Sequence, residues 1–277
     1  MSDHAIIEHP ALCLIIGDPV AHSLSPTMHN AAYTALNLPF VMAAARVDAC
    51  ALSQAIQGMR ALHIKGLAVT MPHKVAIMDF IDSIDQTAET IGAINTVVNK
   101  NGSLVGYNTD WLGILRPLER ASPLEGKKVA ILGAGGAAQA AIFACQYAKA
   151  SVTIFNRTIE TAEALAQRFQ CSAQSISDAN TLPDFDIIIN TTSLGMSDTK
   201  EQSPIPREAL RPHHIVFETI YAPSVTTLLK DAQVVGAKFI PGSEMFLEQG
   251  IAQFELHTGV TAPREVMENI TSSALRT

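Results

Sequence analysis

Residues 129–138 of the chain read Val-Ala-Ile-Leu-Gly-Ala-Gly-Gly-Ala-Ala. Four apolar residues suited to a buried strand run directly into a glycine-rich turn, and an alanine-rich stretch of helical character follows. Gly133 permits a tight turn, Gly135 lets a ligand approach the backbone, and Ala138 is small enough for close contact between helix and strand. The stretch therefore predicts a strand, a turn and a helix whose free N–H groups bind a pyrophosphate.

Short β-branched runs alternate with longer helical patterns on both sides of this turn, which favours an α/β fold. We predict strands before the turn at residues 12–16, 41–47 and 66–70, and after it at residues 151–155, 186–190, 215–218 and 238–240. The spacing of the later group fits a parallel, doubly wound sheet of the Rossmann type. The tripeptide Lys100-Asn101-Gly102 predicts a hairpin turn.

Length and composition exclude several classes of protein. A chain of 277 residues corresponds to about two domains. The net charge of −7 argues against binding to nucleic acid, and the apolar runs are shorter than the roughly 20 residues of a membrane helix. The N-terminus lacks the pattern of a signal peptide. We therefore expect a cytoplasmic protein that acts on small molecules.

The four cysteines give no sign of a metal site. Cys13, Cys50, Cys145 and Cys171 form no C-x-x-C pair and have no histidine at the spacing of a zinc ligand. We expect them to be four buried, reduced thiols. This agrees with a reducing compartment and with a protein that holds no metal.

The end of the second strand after the turn distinguishes between the two nicotinamide cofactors. NAD sites typically place an aspartate or glutamate there, about 20 residues beyond the glycines. Here the strand ends in Asn156-Arg157-Thr158, without a carboxylate. A guanidinium is a planar, permanently charged donor suited to a phosphate. Arg157 therefore predicts NADP rather than NAD.

Four polar clusters occupy predicted loops of the first half, at residues 22–26, 69–74, 92–96 and 106–110. Together they supply hydroxyls, amides, one amine and one carboxylate, which is a set able to hold a polyhydroxylated ring and to transfer a proton. Each candidate also has an ordinary structural interpretation. Ser25 and Asp110 are good helix caps, Asn95 suits a turn, and Lys74 suits an exposed surface.

Taken in order, these clusters resemble the shikimate dehydrogenase family over nearly the whole chain. Residues 17–30 are similar to the substrate loop of the family, residues 69–74 to its catalytic lysine motif, and residues 108–110 to its catalytic aspartate motif. The second half adds further matches at the glycine turn and at residues 156–158, 190–196, 221–223 and 249–250.

The resemblance implies an architecture and a reaction. It implies an α/β substrate-binding catalytic domain of residues 1–112 and 243–277, a Rossmann-type NADP domain of residues 113–242, and a C-terminal helix that returns to the first domain. The reaction would be the reversible, NADPH-dependent reduction of 3-dehydroshikimate to shikimate by a monomer or a homodimer. Lys74 and Asp110 would be the catalytic acid–base pair.

The resemblance also implies which residues bind the ligands. The substrate would be held by Ser23, Ser25, Thr70, Asn95, Tyr221 and Gln249, with Gln249 able to reach Ser23. The pyrophosphate and the 2′-phosphate of NADP would be held by Gly133, Ala134, Gly135, Gly136, Ala137, Ala138, Asn156, Arg157 and Thr158. The nicotinamide would lie beside Thr219, Gly242 and Met245.

Three residues depart from the family pattern. Ala68 stands where asparagine or serine is common, Trp111 where many relatives have glycine, and Glu218 where aspartate is usual. Ala68 and Trp111 leave open a quinate/shikimate dehydrogenase or a paralogue that acts on a related cyclohexene carboxylate. A non-catalytic, NADP-binding regulatory relative is the alternative of another class, against which the retention of Lys74 and Asp110 speaks.

Overall fold

The computed structural model describes residues 9–196 and 199–275 and contains two six-stranded sheets. The strands of the first sheet are β1 (Ala11–Gly17), β2 (Phe40–Arg46), β3 (Gly66–Val69), β4 (Ser83–Ile84), β5 (Thr96–Lys100) and β6 (Ser103–Tyr107), in the order β2-β1-β3-β5-β6-β4. β1 pairs in parallel with β2 and β3, whereas β5 runs antiparallel to both β3 and β6. The helices of this half are α1 (Ser25–Ala35), α2 (Leu52–Ala61), α3 (His73–Ala76) and α4 (Gln86–Ile91).

The second sheet is parallel throughout. Its strands are β7 (Lys128–Leu132), β8 (Ser151–Asn156), β9 (Ser172–Ser175), β10 (Ile187–Asn190), β11 (Ile215–Glu218) and β12 (Lys238–Ile240), in the order β12-β11-β10-β7-β8-β9. The strand order reverses between β7 and β10, and the glycine turn follows β7 at this point. Open α/β sheets bind their ligands beyond the carboxyl ends of the strands where the order reverses.

Helices cover both faces of the second sheet. They are α5 (Asp110–Ala121), α6 (Gly136–Tyr147), α7 (Ile159–Phe169) and α8 (Thr227–Val235). Successive residues of β7 enter two different cores: Val129 and Ile131 pack in one cluster, and Ala130 and Leu132 in the other. This alternation is the consequence of the two-residue period of a strand that is buried on both faces.

The last two helices, α9 (Gly242–Thr258) and α10 (Arg264–Ala274), return to the first sheet. α9 packs on α5, α1 and β5, and α10 packs on α1. Phe254 and Met267 share a core with Met28 and Tyr33 of α1. The predicted return of the C-terminal helix is confirmed, as is the α/β fold with a Rossmann-type second half. No helix in the described part of the chain has the length and apolarity to cross a membrane.

Two helix starts differ from the sequence predictions. α1 begins at Ser25 itself, after Leu24, and no side chain caps it, so the cap assigned to Ser25 is wrong. α5 begins at Asp110 after Thr109, so Asp110 lies in the first turn and its side chain does not cap the helix. α5 then continues to Ala121, which places the expected domain boundary after residue 112 inside a helix.

The predicted hairpin at Lys100-Asn101-Gly102 is present between β5 and β6. Asn101 and Gly102 both have positive φ angles, of 56° and 98°, as a tight two-residue turn requires. The short strands β4 and β9 and helix α4 were not predicted. Strands of two and four residues are too short for a periodic signal.

A buried carboxylate joins three helices near the C-terminus. Glu248 of α9 is 1% exposed and accepts hydrogen bonds from Arg116 and Arg120 of α5, at 3.3 and 2.6 Å, and from Arg264 of α10. Burial alone would raise the pKa of the Glu248 carboxyl, but the bonds from Arg264 and Arg120 hold this pKa below its ordinary value. The ion pairs therefore fix α9 between α5 and α10.

Replacing this carboxylate by an amide should destabilise the protein. We expect Glu248→Gln to lower the free energy of unfolding by about 2–4 kcal/mol at pH 7 in urea denaturation, because three guanidinium groups lose a buried partner. The folded-state pKa is depressed, so the stabilisation is present at neutral pH and is lost as the carboxylate takes up a proton. The difference between wild type and variant should accordingly shrink as the pH falls from about 5 toward 3.

Glu125→Gln is the matched control. Glu125 pairs with Lys149 at 3.1 Å, but both side chains are more than 70% exposed. An exposed pair of this kind contributes less than about 1 kcal/mol. An equal loss of stability in the two variants would contradict the role assigned to Glu248.

Candidate active site

An ion pair between Lys74 and Asp110 lies at the centre of the polar cluster. Lys74 lies on α3, just beyond β3, and Asp110 is the first residue of α5. The Lys74 Nζ is 2.6 Å from the Asp110 Oδ2, and the two side chains are 17% and 4% exposed. The N-terminal end of the twelve-residue helix α5 also favours a negative charge at Asp110. The pair is thus sheltered and held from two elements.

Asn95 holds the other oxygen of the same carboxylate. Its Nδ2 donates to the Asp110 Oδ1 and to the Thr109 Oγ1, both at 2.9 Å. Its Oδ1 accepts from the backbone N–H of Thr109 at 2.7 Å. The structure therefore brings Lys74, Asn95 and Asp110 together, and both oxygens of Asp110 accept hydrogen bonds.

The glycine turn lies next to this pair. A Cβ atom built on Gly136 would be 3.7 Å from both the Cβ and the Cδ of Lys74. The backbone of Lys74 is held from the other side, because its carbonyl accepts from the N–H of Ile94 at 2.7 Å. The side chain of Lys74 therefore lies within van der Waals reach of the glycine turn.

The loops after β1 and β3 pack directly against each other. A Cβ on Gly17 would be 2.3 Å from the Thr70 Cγ2, so only glycine fits there. The N–H of Asp18 donates to the Met71 carbonyl at 2.9 Å, and the N–H of Thr70 donates to Ile16 at 2.9 Å. Thr70 is thereby placed beside the start of the loop that carries Ser23 and Ser25.

Ser23, Ser25 and Tyr221 form a second polar group. The N–H of Ser25 donates to the Ser23 Oγ at 3.3 Å. Burial raises the pKa of Tyr221, while hydrogen bonding to Ser23 and to the backbone of Leu24 opposes the rise. The Tyr221 ring packs on Phe246 of α9, with ring centres 4.7 Å apart. A loop of the second half therefore reaches the substrate loop predicted in the first.

Gln249 does not make the expected contact with Ser23. Its Nε2 donates at 2.8 Å to the carbonyl of Phe246, three residues earlier in α9. Its Cβ lies close to Gly113 of α5, where an added Cβ would be 3.1 Å away. In this structure its amide is therefore bonded within its own helix.

The glycine turn has the local geometry that a bound pyrophosphate requires. Gly133 has a φ of +109°, and a Cβ there would be 2.8 Å from the Thr191 Oγ1, so its conformation and its neighbour both demand glycine. Gly135 precedes α6, and a Cβ built on it would meet nothing within 4 Å. The open space lies beside the N-terminal end of α6, where unpaired N–H groups favour an anion.

Arg157 lies at the same edge of the sheet. β8 ends at Asn156, and its Phe155 is the register partner of Leu132, the last residue of β7. The Asn156 Nδ2 donates to the Thr158 carbonyl at 2.9 Å, which shapes the loop. Arg157 is exposed and forms no ion pair within residues 9–196 and 199–275. Its charge is thus available to a ligand next to the glycine turn.

The residues expected at the nicotinamide lie around the start of α9. Thr219 follows β11, and Gly242 opens α9 so close to the backbone that a Cβ would be 2.2 Å from the Ile220 carbonyl oxygen. Met245 is 7% exposed and belongs to the core between α5 and the second sheet. Its Cγ would be 3.0 Å from a Cβ on Gly113, so much of its surface serves ordinary packing.

The three departures from the family pattern have separate structural surroundings. Ala68 is buried in a small apolar cluster with Ile15 and Val20. The Trp111 ring packs on two aromatic rings of α6, Phe143 and Tyr147, with centres 5.4 and 5.3 Å away. The Trp111 ring therefore serves the packing of α5 on α6.

Glu218 organises the turn after β11. Its buried carboxylate accepts hydrogen bonds from Asn190 at 2.9 Å, from Thr226 at 2.9 Å, and from the backbone N–H groups of Thr219 and Ile220. Burial nevertheless leaves its pKa raised. Its role is to hold the backbone that leads to Tyr221.

Thr109 has no predicted role, although its N–H donates to the Asn95 Oδ1 and its hydroxyl oxygen accepts from the Asn95 Nδ2. The contact joins the residue before β5 to the residue before α5, and no sequence spacing signals it. Residues 9–196 and 199–275 contain no group of three or more potential metal ligands. The expected burial of all four cysteines is wrong for Cys50, which is exposed, and for Cys171, which is only partly buried.

Family models match three parts of the chain. Residues 15–97 match the substrate-binding domain of shikimate dehydrogenase, residues 118–202 match shikimate/quinate 5-dehydrogenase, and residues 242–270 match the C-terminal domain of shikimate 5′-dehydrogenase.

Individual relatives cover almost the entire chain. A shikimate dehydrogenase (NADP(+)) of Geobacillus kaustophilus is 42% identical over 269 residues, which are 95% of this chain and 98% of the relative. A crystal structure of a shikimate dehydrogenase in complex with NADP+ has a TM-score of 0.92 at 38% identity and covers 96% of both chains. The Thermus thermophilus enzyme in complex with NADP(H) and shikimate has a TM-score of 0.89 at 33% identity, over 96% of this chain and all of the other.

The fold and the glycine turn place the protein among two-sheet α/β oxidoreductases with a Rossmann-type half. Within that class, the chain belongs to the shikimate dehydrogenase family.

Proposed function

We propose that this protein catalyses the reversible, NADPH-dependent reduction of 3-dehydroshikimate to shikimate. The observation that carries the proposal is the sheltered Lys74–Asp110 pair, 2.6 Å apart, with Gly136 of the nucleotide turn against the lysine side chain. A proton donor and a cofactor-binding turn that lie this close together are what a hydride transfer to a ring carbonyl needs. The NADP(+) and shikimate named for the relatives agree with it.

The proton is handled by residues of this chain. NADPH, when bound, supplies the hydride that reaches the carbonyl carbon. The Lys74 ammonium donates a proton to the carbonyl oxygen and stabilises the negative charge that develops there. Asp110 orients the ammonium through its Oδ2 and balances its charge. In the direction of oxidation, the neutral amine accepts the hydroxyl proton.

The substrate is held by two groups of side chains. Ser23, Ser25 and Tyr221 are the donors for its carboxylate, and their mutual contacts support that role. We assign the ring hydroxyls to Thr70, Asn95, Asp110 and Gln249. Gln249 takes part once its amide leaves the Phe246 carbonyl, which needs only a rotation of the side chain.

The residues at the edge of the second sheet where the strand order reverses fit a dinucleotide. The open space at Gly135 and the N-terminus of α6 suit the pyrophosphate, which we assign to Gly133, Ala134, Gly135, Gly136, Ala137 and Ala138. The unpaired Arg157 suits the 2′-phosphate, together with Asn156 and Thr158. Thr219, Gly242 and Met245 are assigned to the nicotinamide.

We further propose a catalytic domain of residues 1–112 and 243–277 and an NADP domain of residues 113–242, with α5 and α9 as the helices in which the chain passes between them. A cytoplasmic location fits four free thiols, of which burial raises the pKa of Cys145 to about 12. The active unit is proposed to be a monomer or a homodimer, which light scattering distinguishes.

A steady-state assay tests the function directly. The purified protein is given shikimate or quinate with NADP+ or NAD+, and the reverse reaction is followed with 3-dehydroshikimate and NADPH. We expect the highest kcat/KM with shikimate and NADP+. Activity with quinate alone would overturn the proposed substrate, and the absence of turnover in all combinations would overturn the reaction.

Arg157 should determine the preference for NADP. Arg157→Ala removes a charged donor to the 2′-phosphate, worth about 1.5–3 kcal/mol, so we expect kcat/KM for NADP+ to fall roughly ten- to a hundredfold. The value for NAD+ should stay within about twofold, since NAD+ has no 2′-phosphate.

The control Lys230→Ala removes the same charge from the exposed surface of α8. We expect it to leave both cofactors unaffected. An unchanged ratio of NADP+ to NAD+ in Arg157→Ala would contradict the assignment.

A further inference from the structure

A buried amide of α9, that of Gln253, lies behind the catalytic pair and takes no part in the proposed proton transfer. Gln253 is 2% exposed, and its Nε2 donates to the Thr96 Oγ1 at 2.9 Å and to the backbone carbonyl of Asn95 at 3.2 Å. A backbone carbonyl only accepts hydrogen bonds, so the nitrogen end of the Gln253 amide must face it. The orientation of Gln253 is therefore fixed by the backbone.

The fixed orientation of the Gln253 amide determines which way the Thr96 hydroxyl donates its hydrogen bond. The Thr96 hydroxyl accepts from Gln253, and its own proton then points to the Asn95 Oδ1, 2.8 Å away. Thr96 is fully buried at the start of β5. Since water does not reach the hydroxyl, its proton has few other acceptors, and the direction of the bond is well defined.

Asn95 connects the Thr96 hydroxyl to the Asp110 carboxylate by hydrogen bonds. With its Oδ1 facing Thr96 and the N–H of Thr109, the Asn95 side chain must turn its NH₂ group to the Asp110 Oδ1. The opposite rotamer would place a carbonyl oxygen against a buried carboxylate, which is repulsive. The hydrogen bonding of Asp110 is thus linked to Thr96 through Asn95, and to Gln253 through Thr96 and Asn95.

We infer that Gln253 and Thr96 are positioning residues for the acid–base pair, acting through Asn95 to hold the Asp110 carboxylate aimed at Lys74. The inference rests on the proposed reaction for its kinetic readout. It also links the two ends of α9, because Gly242 and Met245 at its start are the residues assigned to the nicotinamide. α9 would then contact the nicotinamide at its start and, through Gln253, also orient the carboxylate of the acid–base pair.

Two buried histidines lie beside the hydrogen-bonded relay that runs from Gln253 through Thr96 and Asn95 to Asp110. His29 of α1 and His257 of α9 are buried beside Gln253. Burial lowers the pKa of His29 to about 3 and that of His257 to about 4. Both imidazoles are neutral above pH 5. The other ionisable groups that face the relay are Lys65, near His257, and the pair of Lys74 and Asp110 at the far end. A change in the pH profile therefore reports the catalytic pair.

Thr96→Val tests the inference, because it keeps the shape of the side chain and removes the hydroxyl. We expect kcat at the pH optimum to fall roughly tenfold, the effect of about one buried hydrogen bond. The two limbs of the kcat–pH profile should also move toward each other, since an unsupported buried carboxylate takes up a proton more readily and an unpaired ammonium loses one more readily. Thr96→Ser restores the hydroxyl and should restore both limbs.

Thr271→Val is the matched control. Thr271 is a buried threonine of α10 whose hydroxyl bonds to the Met267 carbonyl at 2.8 Å. It should lose some stability and keep the wild-type pH profile. If Thr96→Val lowers kcat without moving either limb, or if Thr271→Val moves them equally, the role is only structural and the inference is overturned.

A second measurement separates this inference from the proposed reaction. In ¹⁵N-labelled protein, exchange of the Asn95 side-chain amide protons with water should be slow in wild type and in Thr271→Val, and at least about tenfold faster in Thr96→Val. This readout needs no turnover, so it stands even if the assay with shikimate fails. If Thr96→Val does not fold, Gln253→Met carries the same predictions, and slow exchange of the Asn95 amide in that variant overturns the inference.

Discussion

The sheltered ion pair between Lys74 and Asp110 is the interaction on which the rest of the structure depends. Two opposite charges that are largely removed from water persist only when their remaining hydrogen-bonding capacity is satisfied. Here the second oxygen of Asp110 accepts from Asn95, and the helix that begins at Asp110 adds its positive end. The start of α6 also meets the lysine, since a Cβ built on Gly136 would be 3.7 Å from the Cβ and the Cδ of Lys74, an ordinary contact distance. The ion pair thus lies where α3, α5 and the start of α6 meet.

Much of this site could be predicted from the sequence, for a geometric reason. Parallel strands end at the same edge of a sheet, so polar loops that follow successive strands converge. The glycine turn and Arg157 follow β7 and β8, which are neighbours, and Thr70 follows β3, the neighbour of β1. The fold class and the return of the C-terminal helix were likewise predicted and are confirmed.

Other features depend on tertiary contacts that leave no local pattern. Ser25 has the chemistry of a helix cap, but its backbone is already helical, and Gln249 is bonded inside its own helix. Trp111 suggested an altered substrate site from its position beside Asp110, yet successive residues of a helix point in different directions and its ring packs on α6. The relay from Gln253 through Thr96 spans 157 residues of sequence, so only the fold brings it together.

A double-mutant cycle on the ion pair tests the central claim most directly. The value of kcat for shikimate oxidation with NADP+ is measured for wild type, Lys74→Met, Asp110→Asn and the double variant. If the two groups act as one acid–base unit, each single variant loses most of the activity and the double variant is about as slow as the slower single one. Losses that multiply in the double variant, or a single variant with nearly normal kcat, would contradict the account.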